Sequence, residues 1–143
     1  MRLKECFDKR LLRRERPDFE KSERSMEIVE AKLDEAEKAL RNGLFDATII
    51  LAYTSMFHAA RAILFRDGIV EKSHVCLIEY LKKKYVNTGK MSEATIVSLD
   101  TLRIDRHETL YGLEAKSNEK EAKYSFEKAK EFLATVKRLI EYE

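Results

Sequence analysis

The sequence of 143 residues predicts an all-α protein, a bundle of helices without strands. Residues 44–66 carry 16 apolar or aromatic side chains in 23 positions, and these recur at spacings of three and four, the period of a helix. All four Gly residues fall at predicted helix boundaries, and the chain contains one Pro. The remaining helices are amphipathic, as expected for helices that surround a buried one.

Segment 44–66 is apolar around nearly its whole circumference, so we predict that it is the least exposed helix. Its length also suits a transmembrane span, which needs about 20 apolar residues. Asp46, His58 and Arg61 argue against a span, because charge is costly inside a bilayer. The basic N-terminal residues are not followed by an apolar run, so no signal peptide is predicted. We therefore expect a cytoplasmic protein without a membrane partner.

Three helices are predicted in the first half of the chain. A short first helix spans 3–14 and ends before Pro17, because proline disfavours helical geometry in the preceding residue. The second spans 18–41 and is ended by Asn42-Gly43, where Gly supplies the left-handed conformation of a helix C-terminus. The third, 44–66, follows at once, so the two should pack as an antiparallel hairpin.

Three further helices are predicted in the second half. Ser73 and Ser92 are suitable N-caps for helices over 74–86 and 93–110. Residues 112–117 form a loop, and a capping-box pattern then begins the last helix, 119–141. The predicted core positions of these helices are Val75, Ile78, Leu81, Tyr85, Ile96, Leu99, Leu102, Leu110, Ala122, Phe126, Ala129, Phe132, Leu133, Val136 and Ile140. We expect one domain over 1–143, with its core at about 18–141.

Charge and cysteine content suggest few specific functions. A net charge of +2 gives no strong attraction to nucleic acid or membrane. Residues 9–16, KRLLRRER, are strongly basic, and they form either a solvated face or an edge that contacts phosphate. Cys6 and Cys76 show no metal or redox spacing, so we expect ordinary thiols in a reducing compartment.

One narrow face of the central helix is polar. Thr54, His58 and Arg61 share this face, because residues four and three apart lie together on a helix. The face is either a structural cluster, in which His58 bonds to a neighbouring helix, or the lining of a pocket or partner surface. The three histidines of the chain are far apart in sequence, and no metal site or cofactor is predicted.

The central helix carries a motif that resembles a known protein family. AYTSMFHAARAIL, residues 52–64, resembles the A-Y-x-x-M-F-H-A-A-R signature of small archaeal and bacterial HEPN-domain proteins. Gly43 with a following aromatic residue, the Lys-Ser-His of 72–74 and the segment LRIDRHETLY of 102–111 are similar to further features of that family. The resemblance implies an up-and-down bundle of four to five helices and an association with nucleotide or RNA biology. It also implies a toxin–antitoxin-like pairing with a nucleotidyltransferase.

The resemblance also implies where a site would lie. HEPN nucleases use an Arg and a His separated by four to six residues, which suits metal-independent RNA cleavage: the His moves a proton and the Arg holds the phosphate charge. Here Arg103 and His107 are separated by three residues, and Arg106 is followed after four residues by Tyr111. Tyrosine carries protons poorly at neutral pH, since its ordinary pKa is about 10. The alternative interpretation of Asp105, Arg106 and Glu108 is a surface salt-bridge cluster.

Three functions remain open from the sequence. The first is a non-catalytic binding module for a nucleotide, RNA or a partner nucleotidyltransferase, with Thr54, His58, Arg61, Asp105 and Tyr111 as its surface. The second is a metal-independent ribonuclease that uses Arg103 or Arg106 with His107. The third is a helical scaffold without a ligand site. The resemblance further implies a homodimer, and segment 99–113 presents both charge signs beside Leu residues, as a self-complementary two-fold face requires.

Overall fold

The computed structural model describes residues 2–113 and 116–141 and has an all-α architecture with one small strand pair. Its six helices are α1 (Leu3–Asp8), α2 (Phe19–Arg41), α3 (Phe45–Asp67), α4 (His74–Leu81), α5 (Glu93–Tyr111) and α6 (Glu119–Glu141). A π-helical turn, Lys82–Val86, continues α4. The strands β1 (Leu12–Arg14) and β2 (Ile69–Glu71) form an antiparallel pair. The predicted fold class is confirmed, and the expectation that the chain has no strand is wrong.

Helix α3 lies at the centre of the bundle, as predicted. It contains 11 buried residues among its 23, and it packs against α2, α5 and α6. Two buried serines fasten it to α2: Ser22 Oγ donates to the carbonyl of Ala62, and Ser55 Oγ donates to that of Val29. By length and hydropathy α3 could also cross a membrane, but 61% of its most apolar window is buried inside the protein. This burial is typical of a core helix.

The predicted first helix, 3–14, is wrong beyond its first half. Helix α1 ends at Asp8, where Arg10 N–H donates to the carbonyl of Phe7 and Leu11 N–H donates to that of Cys6. This pattern is a Schellman motif, which places the residue after the cap in the left-handed region. Arg10 occupies that position with a φ of 57°. Because glycine normally marks such a site, nothing in the local sequence signals that the helix stops here.

The chain then forms β1 instead of continuing as a helix. Its register pairs Leu12 with Glu71 and Arg14 with Ile69. Gly68, in the left-handed region with a φ of 76°, allows the two strands to meet, because a Cβ there would lie 2.5 Å from the carbonyl oxygen of Glu15. The pairing depends on residues more than 50 positions apart, so local periodicity could not reveal it.

The two cysteines are not free thiols. Cys6 of α1 and Cys76 of α4 form a disulfide, with Cα atoms 5.7 Å apart and a sequence separation of 70 residues. The expectation of ordinary thiols is therefore wrong. A reducing compartment can no longer be inferred from these two residues.

Several smaller expectations are corrected or confirmed by the helix ends and burial. The helix predicted over 74–86 is α-helical only to Leu81. Val75 and Leu110, expected in the core, are 39% and 40% exposed. The helices predicted over 18–41, 44–66, 93–110 and 119–141 agree with α2, α3, α5 and α6 to within one residue at each end. In the predicted loop 112–117, residues 114 and 115 lie outside the described residues.

Candidate functional site

A tyrosine of α3 and a histidine of α4 form a polar contact between two helices. The hydroxyl of Tyr53 lies 2.8 Å from Nδ1 of His74. His74 is the first residue of α4 and follows Ser73, whose side chain caps the helix by accepting from the Cys76 N–H. The His74 ring stacks on Phe57, with 4.0 Å between ring centroids. Since Tyr53 and Phe57 are one turn apart, the same face of α3 holds both the edge and the face of the imidazole.

Two arginines of α5 complete this arrangement. The Arg106 guanidinium carbon lies 5.7 Å from the centroid of the Tyr53 ring. Arg103 Nε lies 2.9 Å from a carboxylate oxygen of Asp100. Arg106, half-buried, makes no ion pair within the described residues, so its charge is not neutralised by a carboxylate there. Together, Tyr53, Phe57, His74, Arg103 and Arg106 are called the His74 cluster below.

The protonation of the cluster follows from burial and from the arginines. Burial lowers the pKa of His74 below its ordinary value, and Arg106, Arg103 and Arg61 lower that pKa further. Burial raises the pKa of Tyr53 well above its usual range, which the arginines oppose only in part. At neutral pH the imidazole is therefore neutral and the phenol protonated.

With the imidazole neutral and the phenol protonated, the donor in this contact depends on the tautomer of His74, and the burial of the Tyr53 hydroxyl favours the phenol as donor. Tyr53 is 2% exposed, and Nδ1 of His74 is the hydrogen-bond partner of its hydroxyl within the described residues. A buried hydroxyl donates where an acceptor is present, so Tyr53 donates to Nδ1. The one proton of the neutral ring is then on Nε2, which becomes a hydrogen-bond donor.

Arg61, predicted as part of a ligand or partner surface, is paired inside the protein. Its Nε lies 2.6 Å from a carboxylate oxygen of Glu71, the last residue of β2. Its guanidinium also lies over the rings of Phe57 and Phe65, 5.7 and 5.2 Å from their centroids. Burial raises the pKa of Glu71 and Arg61 lowers it in part. The unforeseen strand pair thus supplies the partner of Arg61.

The other two residues of that polar face differ from each other. Thr54 Oγ1 donates to the carbonyl of Ile50, one turn earlier in α3. His58 Nδ1 is buried and has no hydrogen-bond partner in the part of the chain described. Burial lowers the pKa of His58, and Arg61 and Lys32 lower it further. The hydrogen bond that we expected from His58 to a neighbouring helix is therefore not present among these residues.

The remaining predicted site residues of α5 are not in the His74 cluster. His107 and Tyr111 pack against each other, with ring centroids 5.0 Å apart, and Tyr111 is 69% exposed. Asp105 lines a different cavity, of about 760 Å³, between α5 and α6. Burial raises the pKa of Asp105, and Glu121 raises it further. Of the α5 residues predicted as a site, Arg103 and Arg106 thus belong to the His74 cluster, and His107 does not.

Tyr53 and His74 were not among the site residues predicted from the sequence. They lie 21 residues apart in the chain, on two helices that the strand β2 separates. The local sequence did indicate two parts of the contact. Tyr53 and Phe57 lie one turn apart on the same helix face, and Ser73 is an N-cap that places His74 at the start of the next helix. Within residues 2–113 and 116–141, no group of three His, Cys, Asp or Glu side chains is placed to hold a metal ion.

Comparisons with known proteins agree with this helical architecture. The model of the HEPN domain matches residues 22–139. A UPF0332 protein of Pyrococcus horikoshii is 33% identical over 94 residues, which are 66% of this chain and 66% of that protein. A Methanocaldococcus jannaschii protein named "Putative toxin" is 31% identical over 68 residues, 48% of this chain and 51% of its own length. A second M. jannaschii protein of that name is 22% identical over 118 residues, 82% and 80% of the two chains.

The aligned region therefore spans about two thirds of the first relative and half of the second. The family model, by contrast, covers all of α3, α4 and α5, and with them the whole His74 cluster. This chain belongs to the HEPN-domain family.

Proposed function

We propose that the chain is a non-catalytic HEPN module that binds a phosphate group of a nucleotide or of RNA at the His74 cluster. The observation that carries this proposal is the position of Arg106, whose guanidinium lies beside the Tyr53–His74 pair without a carboxylate partner in the described chain. Relatives named as toxins are consistent with a toxin–antitoxin-like context. In that context we propose a nucleotidyltransferase as the protein partner.

An anion suits the donors of this cluster. Arg106 and Arg103 offer N–H groups with positive charge, and the neutral His74 ring offers Nε2–H. Charge-assisted hydrogen bonds from arginine to phosphate are about twice as strong as neutral ones. The partial burial of His74 strengthens such bonds, because fewer waters compete for the donors.

The same geometry argues against a proton-transfer role. RNA cleavage without metal needs a group that takes a proton from the 2′-hydroxyl. Nε2 of His74 already carries a proton, because Tyr53 donates to Nδ1. The pKa of Tyr53 is raised, so the phenol does not ionise to replace it. The cluster is thus arranged to donate hydrogen bonds and hold charge.

Calorimetric titration of the purified chain with ATP and with AMP tests the proposal. Arg106→Gln should weaken nucleotide binding at least tenfold, because it removes a charge-assisted contact worth about 1.5–3 kcal/mol. Arg138→Gln is the matched control, since it makes the same change at an exposed position of α6. Equal affinities for the wild type and Arg106→Gln would refute the assignment of the site.

A ribonuclease remains the second candidate, and the structure changes its proposed residues. Arg103 and Arg106 lower the pKa of His74, which makes His74 the candidate histidine of this alternative. In this alternative His74 would adopt the other tautomer, with Nε2 free to accept the proton. The third candidate, a plain scaffold, required Thr54, His58 and Arg61 all to be satisfied internally. The unpartnered Nδ1 of His58 does not fit it within the described residues.

We also propose a homodimer through α5. Leu99 and Leu102, which the sequence suggested for the interface, are buried in the protein's own core. Other apolar side chains on α5 are available instead: Ile104 is 49% exposed, Leu110 40% and Tyr111 69%. Light scattering at micromolar concentration should give twice 16.8 kDa, and Ile104→Lys should reduce it to one chain. A monomeric wild type would refute the dimer.

Two broader assignments also remain proposals. We propose that residues 1–143 form one domain, with its core at about 18–141. We further propose a cytoplasmic location, based on the family context rather than on the cysteines. Thiol titration of protein prepared directly from cells would show whether the disulfide is present in that compartment.

A further inference from the structure

A basic groove lies at the end of the molecule formed by α1, β1 and the π-helical turn. Its volume is about 820 Å³. Five cationic side chains line it, together with the carboxylates of Asp8 and Glu79 and the apolar Leu3 and Phe7. The cationic residues are Arg2, Lys4, Arg14, Lys82 and Lys83.

Three separate segments of the chain bring these cations together. Arg2 and Lys4 belong to the start of α1, Arg14 ends β1, and Lys82 and Lys83 begin the turn after α4. The Cys6–Cys76 disulfide ties α1 to α4, and the pairing of β1 with β2 fixes the basic segment 9–16. Arg14 of that segment is therefore held in the same groove as Lys82 and Lys83. A net charge of +2 for the whole chain conceals this local concentration.

The charges in the groove are mostly unpaired. Lys82 pairs with Glu79 at 3.7 Å, whereas Arg2, Lys4, Arg14 and Lys83 make no ion pair within the described residues. On α2 and α6, by contrast, most lysines pair with an acid one turn away on the same helix, as in the Lys38–Asp34 contact of 3.0 Å. Four cations that no acid pairs with in the described residues favour an anionic ligand that neutralises several of them at once.

The groove fits a chain of phosphates better than an acidic peptide. A peptide bound by an apolar anchor needs an open apolar floor, but the guanidinium of Arg14 covers the Phe7 ring, 4.5 Å from its centroid. Lys9, Arg10 and Lys84 are further exposed cations, each within two residues of a groove-lining position. A surface with this many cations suits a ligand with regularly repeated charges.

We propose that this basic groove binds the sugar–phosphate backbone of a nucleic-acid strand, at a place separate from the His74 cluster. None of the groove-lining residues belongs to that cluster. The groove would contact phosphates without reading bases, so it would increase affinity and not sequence preference. The proposal stands or falls independently of nucleotide binding at His74.

Fluorescence anisotropy with a labelled 12-nucleotide oligouridylate tests the groove in the full chain. Lys4→Gln/Lys83→Gln removes two unpaired charges from exposed positions. The affinity of this double variant for the oligouridylate should be about tenfold lower than that of the wild type at low salt. The slope of log K against log salt should become shallower by about 1.4, at roughly 0.7 for each phosphate that the variant no longer neutralises. Lys123→Gln/Lys130→Gln on α6 is the control, with the same change of net charge and an expected loss of affinity below about threefold.

Each other outcome would overturn the proposal. Equal losses of affinity in the groove variant and the control would mean that only net charge matters. An unchanged affinity in the groove variant would place the nucleic acid elsewhere. If a labelled oligoglutamate depends on Lys4 and Lys83 while the oligouridylate does not bind, the partner is an acidic protein segment. Thermal melting followed by circular dichroism verifies that both double variants are folded, and titration with ATP reports on the His74 cluster separately.

Discussion

The hydrogen bond between Tyr53 and His74 can be tested by a substitution that removes only the tyrosine hydroxyl. Tyr53→Phe removes only the hydroxyl and keeps the buried ring, so the packing of α3 is preserved. The variant lacks one hydrogen bond, whose net contribution to stability is about 0.5–1.5 kcal/mol. A fully buried orphaned acceptor would cost up to about 3 kcal/mol. The His74 ring is only half-buried, however, so water can replace part of that hydrogen bond. We therefore expect the free energy of unfolding to fall by about 1 kcal/mol at neutral pH.

The same variant should change the titration of His74. Burial and the arginines lower the pKa of His74, and a hydroxyl that donates to Nδ1 also stabilises the neutral imidazole. Removing this donor should raise the pKa of His74. Because the folded-state pKa lies below 6.5, the unfolded chain binds a proton first as the pH falls. The free energy of unfolding should therefore decrease below pH 6.5, through the window down to the folded-state pKa, and less steeply in Tyr53→Phe.

Two measurements decide this prediction. Chemical denaturation followed by circular dichroism gives the stability of each variant from mildly acidic to neutral pH. Nuclear magnetic resonance of the imidazole Cε1 proton gives the pKa of His74 directly. Tyr124→Phe, at a 49% exposed position of α6, is the matched control and should change neither quantity. If the pKa of His74 in Tyr53→Phe is unchanged or lower, Tyr53 does not donate to Nδ1 and the assigned tautomer is wrong.

Three further predictions concern the scaffold and the chemistry. Cys6→Ser should lower the free energy of unfolding by about 4 kcal/mol relative to the oxidised wild type, which is the loop-closure entropy for a separation of 70 residues. Treatment of the wild type with dithiothreitol should have a similar effect. Equal melting curves for the variant, the reduced wild type and the oxidised wild type would argue against the Cys6–Cys76 disulfide. Ile63→Ala should lower the free energy of unfolding by about 2–5 kcal/mol, and Phe57→Ala by an amount near the low end of that range, because Phe57 is only partly buried. A negligible loss of stability in denaturation experiments on both variants would contradict their placement in the core. Single-stranded RNA incubated with the chain and EDTA should stay intact on a gel, and cleavage abolished by His74→Ala would establish the ribonuclease instead.

The disulfide also links the scaffold to the proposed groove. Cys6 lies in α1, which supplies Lys4, and Cys76 lies in α4, which leads directly into Lys83. Reduction would leave α1 attached mainly through the short strand pair and its contacts with α4. The oxidation state of the cysteines should therefore be controlled in every binding experiment on this chain.

The helices could be predicted from the sequence because their signals are local. Apolar spacing of three and four residues located α2, α3, α5 and α6, and Ser73, Ser92 and the Asn118–Glu121 pair located helix starts. The side chains of these caps bond to backbone groups within three residues, so no tertiary information was needed. The central position of α3 also followed from sequence, since a helix that is apolar on all sides must be covered on all sides.

The side chains that meet at the site could be identified only in the folded chain. Arg103 and His107 share a helix, yet Arg103 and Arg106 also act on His74, because α4 packs against α5 after a change of direction at β2. Arg61 could not be assigned a partner until β2 placed Glu71 beside it. Contacts between side chains tens of residues apart depend on where the chain reverses direction. The local pattern of apolar and polar residues carries no information on that. The amino-acid pattern thus determined the helices and the central position of α3, and the packing of helices and strands determined the site.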